Sequence, residues 1–153
     1  MKTTVSKIMV ALLVVMAMSS KGFSQTKEEN HAALTMHHNK VKEHTDAIVN
    51  GTSKTKAEHL AHATEAINSL KEAKKAQGNL KTNVAKKDKT MALANHVEIA
   101  KQDNEAAGHL KAIKDELKKP KYDEAKVKDH AKKAGEAIDK AEQEHQKLKE
   151  KTK

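Results

Sequence analysis

The chain has 153 residues, a net charge of +9, ten histidines and no cysteine. Every basic residue is lysine, and only one tyrosine and one phenylalanine occur. A nucleic-acid reader would use arginine forks and aromatic stacking platforms, so that class is excluded, and disulfide and thiolate chemistry falls with the missing cysteine.

Residues 1–24 read as a secretory signal peptide. Lys2 and Lys7 give a positive start, Ile8 to Ala17 are continuously apolar, and Gly22-Phe23-Ser24 places small residues before a cut at Gln25. The apolar run is too short to span a bilayer, which takes about 20 residues. The mature domain is then 25–153, periplasmic or secreted, with no membrane attachment after cleavage. It keeps 27 lysines against 21 acids, a net charge of +6. These alternate along the chain, as on a solvated helix surface.

Four stretches carry apolar residues at spacings of three and four. The first runs from Lys27 to Asn50, with His31, Leu34, His38, Val41, Thr45 and Ile48 on one stripe. Gly51 ends it, and Thr52-Ser53 offer a cap to the next. The second runs to Gln77 with Leu60, Ala63, Ile67 and Leu70 inward, and Gly78 is expected to stop it. A polar linker, Asn79 to Lys89, leads to a third stripe of His96, Ile99, Asp103, Ala106, Leu110, Ile113 and Leu117. Pro120 breaks that helix and Asp123 caps the fourth. Its stripe is Val127, Ala131, Ala134, Ile138, Ala141, His145 and Leu148. Short connections make neighbours antiparallel. The expected fold is all-α, an up-down four-helix bundle of two repeated hairpins, its alanine-rich core burying little area per residue.

The hairpins resemble each other in sequence. Asn30-His31 matches Asn95-His96, and His44 matches His109, each pair 65 positions apart. In the second helices, Glu58-His59 matches Asp129-His130, and Ile67 matches Ile138, at 71 positions. In that register Lys133 stands opposite His62.

Neutral imidazole is the commonest metal ligand among side chains. Two donors three or four positions apart share a helix face, as His59 and His62 do, with Glu58 and Glu65 flanking His62. Glu28 with His31, Glu105 with His109, and Glu142 with His145 have the same spacing. The adjacent His37 and His38 point about 100° apart and cannot easily share an ion. The candidate metal ligands are therefore His31, His37, His38, His44, His59, His62, His96, His109, His130 and His145. Imidazole sites favour copper(II), with zinc and nickel next. Met36 and Met91 are conceivable copper(I) donors, but a methionine at helical spacing is more often packing.

A di-iron oxidase would need Glu-x-x-His on two helices and a glutamate from each of the other two. Glu28/His31 and Glu142/His145 supply the spacing, but both lie near chain ends and outside the repeat. No zinc-protease motif, nucleophile elbow or phosphate loop is present, and the chain reads as a non-enzyme.

The segments Glu58-His59-Leu60-Ala61-His62-Ala63-Thr64-Glu65-Ala66-Ile67 and Asp129-His130 to Glu136-Ala137-Ile138 resemble the small metal-binding protein family. Those are periplasmic, histidine-rich four-helix bundles. The resemblance spans Glu28 to His145 and implies scavenging or buffering of copper and other divalent metals, through His44, His59, His62, His109 and His130 above all. The alternative is a structural or chaperone-like periplasmic protein whose histidines are incidental or respond to pH.

Overall fold

A computed structural model describes residues 26–83 and 89–151. The expected signal peptide, residues 84–88 of the expected linker and the side chains of Asn83, Lys89 and Met91 lie outside the described residues. Among the described residues the fold is made of four helices: α1 (Lys27–Val49), α2 (Lys56–Asn83), α3 (Lys89–Leu117) and α4 (Glu124–Lys151).

Local chemistry sets the helix ends. Thr26 and Glu29 form a capping box: the Glu29 N–H donates to Thr26 Oγ1 at 3.1 Å, and the Thr26 N–H to Glu29 Oε2 at 2.8 Å. Gly51 leaves α1 at a φ of 74°, a conformation that costs glycine nothing. The cap of α2 is Thr55, not Thr52 or Ser53. The Glu58 N–H donates to Thr55 Oγ1 at 3.2 Å while Glu58 Oε2 accepts from the Thr55 N–H at 2.9 Å. Asp123 caps α4 as expected, accepting from the N–H groups of Ala125 and Lys126.

Gly78 does not stop α2, which continues to Asn83. Leu80, two residues further on, is buried, and its burial outweighs the roughly 0.5–1 kcal/mol that a helical glycine costs.

Each helix packs on its chain neighbours, and α1 also packs on α4. The helices thus form a square with α1 diagonal to α3. The hairpin turns 50–55 and 118–123 lie at one end, the turn end; Thr26, Asn83, Lys89 and Lys151 mark the other, the open end.

The expected stripes of α1, α3 and α4 are buried throughout. In α2 the stripe is rotated. Leu60 is 42% exposed, while His59 has no exposed surface and leads an inner row of Ala63, Ala66, Leu70, Ala73 and Leu80.

The buried rows correct the repeat register. Those of α1 and α3 superpose at 65 positions, as the sequence suggests, with Leu34 on Ile99, Val41 on Ala106 and Ile48 on Ile113. Those of α2 and α4 superpose at 68, with Ala63 on Ala131, Leu70 on Ile138 and Leu80 on Leu148. The three-residue difference falls at the end of α3, which runs on to Leu117. His130 is therefore the counterpart of His62, not of His59.

Candidate metal-binding site

The corrected register pairs the histidines that meet across helices. His44 on α1 and His62 on α2 bring their Nδ1 atoms to 3.1 Å. His109 on α3 and His130 on α4, their repeat counterparts, do the same at 3.2 Å. All four rings are half-buried in the grooves between paired helices. Ring centroids lie 5.3 and 5.4 Å apart. Both pairs sit near the turn end, eight residues or fewer from the helix ends that flank their hairpin connections.

The spacing suits two chemistries. One ring can donate an N–H to its neighbour, since 3.1–3.2 Å lies within hydrogen-bond range. A metal ion can also replace that proton. Zinc–imidazole bonds of about 2.0–2.1 Å at a tetrahedral angle separate the two nitrogens by roughly 3.3 Å.

Burial first, and then the neighbouring ring, lowers the pKa of both His44 and His109. That keeps the nitrogens neutral and available as ligands. Glu43 and Glu65 lie near His44, Glu105 and Asp129 near His109, and each opposes the shift by stabilising positive charge. Among the described residues no group of three histidine, aspartate or glutamate side chains is placed to hold a metal ion, so each pair is a two-donor set.

His59 and His62, adjacent by spacing, receive different partners. His59 Nδ1 meets Ser53 Oγ at 2.8 Å, and its ring stands edge-on to Tyr122 at 6.3 Å. His37 is half-buried on α1, with burial first and Lys40 next lowering its pKa.

The remaining inner histidines belong to a polar layer toward the open end. His31 Nδ1 and His145 Nε2 approach to 2.7 Å in stacked rings, a hydrogen-bond length short of a shared ion's bite. His145 Nδ1 lies 3.3 Å from Glu142, which accepts from the Thr35 hydroxyl at 2.8 Å. His38 stands between Glu142 at 3.0 Å and Asp103 at 3.1 Å. Burial opposes charge on His38, but hydrogen bonds to Asp103 and Glu142 outweigh it and raise its pKa to about 9. Burial pushes Glu142 up, yet bonds with His145, His38 and Thr35 hold it well below the usual carboxylate range. His96, also buried, has neither ring nitrogen hydrogen-bonded within the structure.

Sequence reasoning missed Asp103 and Glu142 as the groups that hold His38. Asp103 did carry a signal: an acid on an otherwise apolar stripe needs a buried partner. Met36 is 44% exposed on the outer face of α1. Among the described residues no helix is long and apolar enough to cross a membrane. No family model, curated protein or solved structure matches the chain.

Proposed function

We propose that the protein binds divalent transition-metal ions outside the cytoplasm and acts as a scavenger or buffer rather than a catalyst. Copper(II) is the first cargo, with zinc and nickel behind it, following the preference of imidazole sites. One observation carries this reading: the same cross-helix histidine pair occurs in both hairpins, at 3.1 and 3.2 Å. A surface histidine has no reason to recur with its partner at matching places in two packed hairpins.

In this reading His44 with His62, and His109 with His130, are the ligands. The flanking acids offset the ion's charge. Two imidazoles fill only half of a four-coordinate shell. The inner histidines His31, His38, His59, His96 and His145 serve packing and the buried polar layer.

The test is a calorimetric titration with copper(II) at pH 7.5, with zinc and nickel as comparisons. Saturable binding that disappears as the histidines protonate supports the proposal. Weak uptake that never saturates refutes it and leaves the structural reading.

A further inference from the structure

Each histidine pair presents two donors, while a tetrahedral ion takes four. Among the described residues no third metal-ligating side chain joins either pair. Nor can one pair complete the other. His44–His62 lies in the groove between α1 and α2, and His109–His130 in the groove between α3 and α4. In the square arrangement these grooves are on opposite sides. All four rings keep some solvent exposure.

We infer that a second copy of this chain supplies the other half of each shell, so that metal joins molecules pair to pair. The inference rests on the metal-binding reading. One shared ion gives a dimer with four imidazoles around it. Because the second pair faces away, the dimer keeps a free half-shell at each outer side, and assembly continues as an open chain. The acids beside each pair, Glu43 and Glu65 on one side and Glu105 and Asp129 on the other, balance the ion and ease the approach of two basic molecules.

Stoichiometry separates shared from unshared ions. In a chain each ion serves two molecules and each molecule serves two ions, so uptake ends near one ion per molecule. Unshared pairs would take two.

The experiment is sedimentation velocity of the protein titrated with zinc, chosen for its tetrahedral preference and lack of redox chemistry. Bound zinc is counted by calorimetry on the same samples. We expect a monomer without zinc, then dimers and longer species up to about one zinc per molecule, reversed by a chelator. In H109A/H130A, with unchanged helicity by circular dichroism, growth should stop at the dimer with one zinc for two molecules. Two zincs per molecule with an unchanged sedimentation coefficient would overturn the bridging and leave metal binding intact. No heat and no change in mass would overturn both.

Discussion

His38 on α1 and Asp103 on α3 meet at 3.1 Å across the diagonal of the bundle, and neither side chain has exposed surface. With Glu142 on the other ring nitrogen at 3.0 Å, one imidazolium neutralises part of two carboxylates. Removing one partner of such a buried set leaves uncompensated charge, which typically costs about 3–5 kcal/mol. H38A is therefore expected to lose stability of that order in urea unfolding. The double replacement H38L/D103L should recover much of the loss. An H38A midpoint equal to the parent's would mean that this set carries no charge.

Stability should peak near pH 6.5. Burial, then His145 and the lysines 149 and 27, lower the pKa of His31 to about 4. Burial is likewise the first cause of lowering for His37, His44, His59, His96 and His109. Below 6.5 the unfolded chain takes up protons that these folded-state rings refuse, so stability is lost as pH falls from 6.5 toward 4. His38 has the opposite sign. Its contribution is fully present below 6.5 and is lost as pH rises through about 9. Melting temperatures between pH 4 and pH 9 check this; a profile still rising at pH 8 would contradict the assignment to His38.

Metal should stabilise the fold. A ligand that binds only the folded state adds about 2.7 kcal/mol at a hundredfold excess over its dissociation constant. Copper(II) at pH 7.5 is thus expected to raise the melting temperature, with a smaller effect near pH 5.5, where protons compete for imidazole. H44A/H62A should remove about half of the bound copper, and H109A/H130A the other half. Full retention of copper in either variant would exclude that pair as a site.

The helical glycines separate packing from propensity. Around Gly78 and Gly108 an added Cβ meets nothing within 4 Å, so G78A and G108A should each gain about 0.5–1 kcal/mol. At Gly135 the same atom would come to 3.2 Å from Thr45 Oγ1, whose hydroxyl donates to the Lys42 carbonyl at 2.9 Å. G135A should fall short of the other two in thermal unfolding. An equal gain would indicate that Thr45 moves aside without cost.

The bundle was legible in the sequence because three of its four buried stripes follow the helical period without interruption. The rotation of α2 was not. Leu60 looks like the inward residue by hydropathy, but its exchange with His59 depends on Ser53 and Tyr122, which lie in the two hairpin turns. The ten histidines were visible as candidates, but their partners were not. Sequence spacing joins residues on one helix, whereas the closest pairs cross from one helix to another. The misread register of α2 against α4 concealed that His62 and His130 correspond.

The pairs His44–His62 and His109–His130 are each closed within a single hairpin, 18 and 21 positions apart in the chain. The His38–Asp103 and His38–Glu142 contacts instead tie one hairpin to the other, across 65 and 104 positions. Each hairpin thus carries its own histidine pair, while the twin supplies the surface that buries its apolar face and, for His38, the acids that hold its ring. In modular terms the chain is a tethered pair of similar units, each carrying a histidine pair near its turn and incomplete elsewhere without the other. Changes to a donor pair therefore stay local to one unit, while changes around His38 reach the docking of both.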